Sequence, residues 1–249
     1  MSASSQRPEE LSRRHPLQRL DSPSKGFSGA FHAVGLVSFY TCFKFLIANP
    51  NTITSAYGWH FQYLTIIGLA ISTLSFASGL LADVTSSRQL FALKNYLALV
   101  AAPIEILISI LYWSLRTISP SLVVPSDLPM LPLWNDLNFH LFPAILLSVD
   151  ALLLSPPWPT SPVNPNAPLI TLTSSTGLAF AYWFWIEWCY SYNGFYPYPI
   201  FELLSTLQRV GLFAISGATM WVVGSGLRVL YAYINGYERL DDRKGGKKI

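Results

Sequence analysis

The sequence predicts an all-α polytopic membrane protein, a bundle of six transmembrane helices. Three observations predict it. Of 249 residues, 51% are hydrophobic and only 12% charged, with a mean hydropathy of +0.38; soluble domains carry about 25% charged residues. Eight charged residues fall in 1–25 and eight in 238–249, which leaves 13 for the 212 residues between. A stretch that poor in charge makes no ordinary wet surface, which excludes a soluble enzyme, a nucleic-acid binder and a disordered chain. Finally, apolar runs near the ~20 residues needed to cross a bilayer recur six times.

In chain order the expected spans are 30–48, 61–81, 96–115, 138–154, 169–190 and 210–234. They form one membrane domain, 30–234, between a polar tail, 1–29, and a basic tail, 235–249. The fourth span is the shortest, and length alone also fits a re-entrant segment. The loop 49–60 holds no Asp, Glu, Lys or Arg, and the loop 156–168 is proline-rich, a semi-rigid connector. The loop after the second span is expected to carry Asp83, Arg88 and Lys94. Arg7, Arg13, Arg14, Arg19 and Lys25 in front, and Arg239, Arg243, Lys244, Lys247 and Lys248 behind, put both tails in the cytoplasm by the positive-inside rule. An even number of spans then follows. Residues 1–26 are polar and basic, so no cleavable signal peptide is expected. The ending GGKKI falls one position short of a dilysine retrieval signal, so the expected residence is the endoplasmic reticulum or the plasma membrane. Cys42 and Cys189 sit in apolar runs and read as small buried side chains, not a disulfide or a zinc site. No metal and no cofactor is expected, and the oligomeric state is not legible.

Aromatic residues gather at 57–63 and 182–198, as expected for interfacial belts. Gly211, Gly217, Gly224 and Gly226 in the sixth span suit close helix packing in lipid. The ionisable residues expected inside spans are Lys44, Glu105, His140, Asp150 and Glu187, each costly there and each a functional candidate. Lys44 and Glu187 fall at similar depth and are expected to pair. Pro143, three residues after His140, is expected to loosen the helix that follows it. With both tails on one side, the second and fourth spans run the same way. Thr65 stands four residues past Phe61 and His140 four past Asp136, each ~6 Å below the interface at the helical rise. The topology therefore lets a Thr hydroxyl meet an imidazole, and a His adjacent to a Thr can activate it as a nucleophile.

Four segments resemble a known family in the same order: YGWHFQYLTIIGL at 57–69, Tyr112–Trp113 at the end of the third span, PLWNDLNFHLFPAILLSVD at 132–150, and YNGFYPYPIFELLSTLQRVGLF at 192–213. They are similar to the androgen-induced and androgen-dependent TFPI-regulating protein family of multispanning membrane proteins. The resemblance implies an intramembrane hydrolase of fatty acid esters of hydroxy fatty acids, with Thr65 as nucleophile and His140 as base. The partners implied are a lipid ester substrate and the membrane, with no nucleic acid. The sequence departs from the family at Trp59–His60, where small and basic residues are usual. Asp136 either orients His140 or caps its helix. Asn138 and nearby backbone amides are candidate oxyanion donors, and Lys44, Arg116 and Arg209 are candidate anchors for the substrate's carboxylate. The alternative class is a non-catalytic lipid-binding, transport or regulatory membrane protein. No repeat between the two halves supports a transporter.

Overall fold

The computed structural model describes residues 25–126, 128–155 and 167–235. Most of both tails and of the proline-rich connector lies outside the described residues. Six helical segments cross the bundle: α1 (Lys25–Ala48), α2 (Leu64–Thr85), α3 (Arg88–Ile118), α4 (Leu133–His140) continued by α5 (Phe142–Leu153), α6 (Ala167–Asn193), and α8 (Thr206–Asn235), which follows the single turn α7 (Ile200–Leu203). All six are long and apolar enough to span a membrane, and no strand occurs among the described residues. With six crossings, Lys25 and Asn235 lie at one end of the bundle, the terminal end; the other is the distal end.

The boundaries at the turn between the second and third spans and within the fourth differ from expectation for local causes. Helix α1 is already helical at Lys25. Helix α2 runs on to Thr85 and ends where Ser86 takes a left-handed φ of 58°. Ser87 then caps α3, its Oγ accepting from the Leu90 amide at 3.3 Å. The connection is thus two residues long. Asp83, Arg88 and Lys94 are not in a loop, as expected, but in the helices on either side of it. The fourth span begins at Leu133 rather than 138 and breaks at Leu141, whose φ is −131° and ψ −51°. Pro143 has no N–H to give the Phe139 carbonyl, and its ring crowds the turn before it. The break therefore precedes the proline rather than following it.

Packing divides the bundle in two. Phe39 of α1, Leu69 and Phe76 of α2 and Leu147 of α5 are fully buried together, with the Phe39 and Phe76 rings edge to face at 5.3 Å. Tyr182 and Ile186 of α6, Phe201 of α7 and Phe213 of α8 form the second core. Ile104, Leu107 and Met220 join α3 to α8 between them. On α1, Val34, Val37, Tyr40 and Ile47 are exposed along one stripe, the face a spanning helix turns to lipid. Cys42 and Cys189 are free and buried. Of the four α8 glycines, Gly217 and Gly224 do admit a neighbour, Thr176 and Thr171 of α6, whereas Gly211 and Gly226 face open space.

The terminal end holds a buried polar cluster. His32 Nδ1 lies 2.8 Å from Asp83 Oδ2 and its Nε2 3.0 Å from Asp150 Oδ1. Ser28 donates to Asp83 Oδ2 at 3.0 Å. Lys94 Nζ lies 2.8 Å from Asp150 Oδ1 and donates to the Leu154 carbonyl and Ser155 Oγ. His32, Lys94 and Asp150 are wholly buried. Two carboxylates face one ammonium and one imidazole, each bonded to a partner, which is how such groups persist away from water. The cluster ties α1, α2, α3 and α5 together. Gly79 makes room for it: a Cβ there would stand 2.6 Å from His32 Cε1. Gly79→Ala is expected to lower stability by about 1–3 kcal/mol through overpacking, read as a lower melting temperature in detergent.

Candidate active site

The start of α2 is set by a clamp at the distal end. Gly58 at φ 92° and Trp59 at φ 48° turn the chain into a 3₁₀ helix, Trp59–Gln62. Gln62 is wholly buried. Its Nε2 donates to the Ile53 carbonyl at 2.8 Å and its Oε1 accepts from Asn193 Nδ2 at 3.1 Å. The Tyr182 hydroxyl donates to the Gln62 carbonyl at 2.7 Å, and Trp185 Nε1 to that of Phe61 at 2.8 Å. Part of the expected aromatic belt is thus an internal brace between α6 and the 57–62 turn. Regular α2 begins at Leu64, three residues later than expected, and Thr65 is its second residue.

That position matters electrically. The first amides of a helix have no helical carbonyl to bond, and the N-terminus carries a partial positive charge that favours an anion. The Tyr198 hydroxyl faces the Thr65 hydroxyl and the Leu64 and Thr65 backbone, and burial pushes its phenol up. Thr65 opens on a cavity of about 290 Å³ between α3, α6 and α8. Tyr112 and Tyr198 also line it, and its walls extend along α3, α6 and α8 as far as Ile104, Leu178 and Met220. From Leu115 to Ile104 the α3 wall covers ~16 Å at 1.5 Å per residue. Tyr182, Trp185 and Ser216 also line it, with their polar atoms bonded to backbone carbonyls, and the rest of the lining is apolar, which suits an acyl chain.

His140 closes α4. Its Nδ1 lies 2.8 Å from Asp136 Oδ1, one turn earlier, and Asp136 is ion-paired to Arg116 of α3. Asp136 is wholly buried and His140 nearly so. A carboxylate on Nδ1 keeps the neutral ring's proton there and leaves Nε2 as acceptor. The Tyr112 ring lies flat on the imidazole, centroids 3.5 Å apart and planes within 5°. Arg116 in turn lies over the Trp113 ring at 5.2 Å.

No hydrogen bond joins Thr65 to His140 among the described residues, and His140 does not line the cavity. Tyr112 is what they share, one wall of the cavity and the stacking partner of the imidazole. Thr65 and His140 stand at different distances from the starts of their helices. Thr65 follows the start of α2 by one residue, and His140 follows the start of α4 by seven.

Other candidates are committed elsewhere. Asn138 accepts from Ser38 Oγ at 2.8 Å and donates to the Trp134 carbonyl at 3.0 Å, so it fastens α4 to α1. Glu187 does not pair with Lys44. Its Oε1 takes Arg209 Nε at 2.8 Å and its Oε2 the Tyr196 hydroxyl at 2.9 Å, while Lys44 is exposed. Arg209 also donates to the Phe201 and Leu204 carbonyls, which fixes α7. Arg116 serves Asp136. Glu105 is buried, with Ser72 Oγ donating to it at 3.0 Å, and Gly68 leaves it space. Asp150 belongs to the terminal-end cluster. Tyr112 carries no expected role and Tyr198 is expected only as part of the interfacial belt at 182–198; their other signal is their place in the motifs at 112–113 and 192–213.

A family model described as FAR-17a/AIG1-like protein matches residues 27–232. The chain belongs to this family. The matched segment of this FAR-17a/AIG1-like chain takes in all six crossings, the cavity, Thr65 and His140. A UPF0641 membrane protein of Schizosaccharomyces pombe is 34% identical over 214 residues, 85% of this chain and 93% of that one. The androgen-dependent TFPI-regulating protein of Mesocricetus auratus is 24% identical over 184 residues, 67% and 74% of the two chains. No solved structure matches.

Proposed function

We propose that this FAR-17a/AIG1-like chain is an intramembrane hydrolase of lipid esters, of the kind formed between a fatty acid and a hydroxy fatty acid, with Thr65 as nucleophile and His140 as base. The observation that carries the reading is the placement of Thr65: a hydroxyl at a helix N-terminus, lining a mostly apolar cavity that it shares with Tyr112, whose ring stacks on an imidazole held by a carboxylate. Thr65 Oγ1 bonds to the ester carbonyl carbon while its proton passes to His140 Nε2. The tetrahedral intermediate collapses, the ester C–O bond breaks, and the departing alkoxide takes the proton from His140. Water then repeats the sequence on the acyl-threonine and frees the acid. The proton has to cross the space beside Tyr112. Catalytic hydrogen bonds often close only with substrate present, and a bridging water serves as well. The basic tails support both termini facing the cytoplasm, with the site then in the opposite leaflet.

Purified protein in detergent is expected to cleave such an ester. Thr65→Ala should abolish turnover and His140→Ala lower it by about 10²–10⁴-fold, with both variants folded. Full activity in either variant, or none in the parent on esters of any chain length, would overturn the reading. A second reading, lipid binding without turnover, draws on the missing Thr65–His140 hydrogen bond. It expects lipid to copurify with the protein and persist unhydrolysed.

A further inference from the structure

We propose that the Tyr112 hydroxyl is the hydrogen-bond donor that receives the ester carbonyl oxygen in the cavity and holds it as the oxyanion. The proposal rests on the hydrolase reading above and names a catalytic residue for it.

One hydrogen bond at the cavity wall is unmet. Tyr112 is 7% exposed, and its hydroxyl is buried without a partner. Among the described residues that line the cavity, it is the one buried side-chain polar atom in that state. The neighbouring hydroxyls are engaged: Tyr182 with the Gln62 carbonyl, Ser216 with the Leu212 carbonyl at 2.9 Å, and Tyr198 with Thr65 and the start of α2. An unsatisfied buried donor costs free energy in the empty protein, which an acceptor on a ligand recovers.

Position selects the ligand atom. Tyr112 and Thr65 line the same cavity, and Tyr198, which bonds to Thr65, also lies close enough to Tyr112 to act on its phenol electrostatically. A lipid ester offers only acceptors there, its carbonyl and bridging oxygens. When Thr65 Oγ1 bonds to the carbonyl carbon, the C=O π pair moves onto the oxygen, and a donor fixed beforehand stabilises that charge more than the ground state. The phenol keeps its proton throughout, and the pair returns to re-form the C=O bond on collapse. Stacking on His140 fixes the ring, so the hydroxyl is positioned before the substrate arrives.

Tyr112→Phe removes the hydroxyl and keeps the stacking ring. In purified protein its kcat should fall by about 10²–10³-fold, with KM changed far less and the melting temperature not lowered. A long-chain alkyl boronic acid, which forms a tetrahedral anion on a Thr oxygen, should bind the variant correspondingly more weakly and Thr65→Ala not at all. A parent that turns over, a dead Thr65→Ala and a fully active Tyr112→Phe would overturn this assignment and leave the hydrolase reading standing. A parent that neither hydrolyses esters nor binds the boronate would overturn both. If Tyr112→Phe fails to fold, a fluorinated tyrosine at 112 changes donor strength at nearly constant shape. The proposal expects kcat to change; an unchanged kcat would overturn it.

Discussion

Asp136→Asn should leave a folded protein whose kcat/KM for ester cleavage is down by about 10²–10⁴-fold, the scale expected when an imidazole base loses its function. Asp136 gives one oxygen to His140 Nδ1 and pairs with Arg116. An amide there has only one acceptor oxygen. If that oxygen stays with His140, the NH₂ faces a guanidinium, donor against donor. If the amide turns round, its NH₂ donates to Nδ1, the ring proton moves to Nε2, and the base has nothing left to accept with. Either arrangement costs activity, and the second shifts the pH profile of kcat/KM as well. That shift separates a positioning role from a structural one. An Asp136→Asn protein with parental rates and pH profile would mean that the carboxylate only neutralises Arg116.

The largest effect on stability is expected at the other end of the bundle, from Asp150→Ala. The substitution strands Lys94, wholly buried, and takes one of two carboxylate partners from His32. Breaking a buried pair from one side costs about 3–5 kcal/mol, a large share of the 5–15 kcal/mol that hold a typical protein together. The expected readout is a melting temperature many degrees lower, or loss of the monodisperse peak on extraction. Asp150→Leu combined with Lys94→Met removes both charges and should recover much of the loss. If the single variant melts like the parent, the cluster does not hold the bundle together.

The contrast between these two sites shows what a linear reading can reach. Hydropathy located all six crossings, because a spanning helix has to be apolar wherever it meets lipid. It placed Asp83, Arg88 and Lys94 in a loop, because an unpaired charge in a span is costly. In the fold Asp83 and Lys94 are helical, each held in the same buried cluster by partners on other helices. His32 escaped notice for the same reason, since its carboxylates come 51 and 118 residues later. Asp136 and His140 were legible as a pair because they stand one turn apart on a helix. Thr65 was found through its motif, but not its seat at the first turn of α2. That start depends on Tyr182 and Trp185, more than 100 residues downstream. Tyr112 was quoted in a motif and given no role, since an unmet hydroxyl is a property of the assembled cavity and not of any segment.

The terminal-end cluster also has a consequence for biogenesis. Its members leave the ribosome in the order His32, Asp83, Lys94, Asp150. The first three arrive on consecutive helices, and α3 brings in Lys94 before the carboxylate it is bonded to has been made. Until α5 is synthesised some fifty residues later, the nascent three-helix intermediate carries a cation without that partner. Translocon insertion tolerates such a charge at about 2.5–3.5 kcal/mol. The arrival of Asp150 is then the event that lets the first four crossings lock together, before α6 and α8 are laid against them to close the cavity.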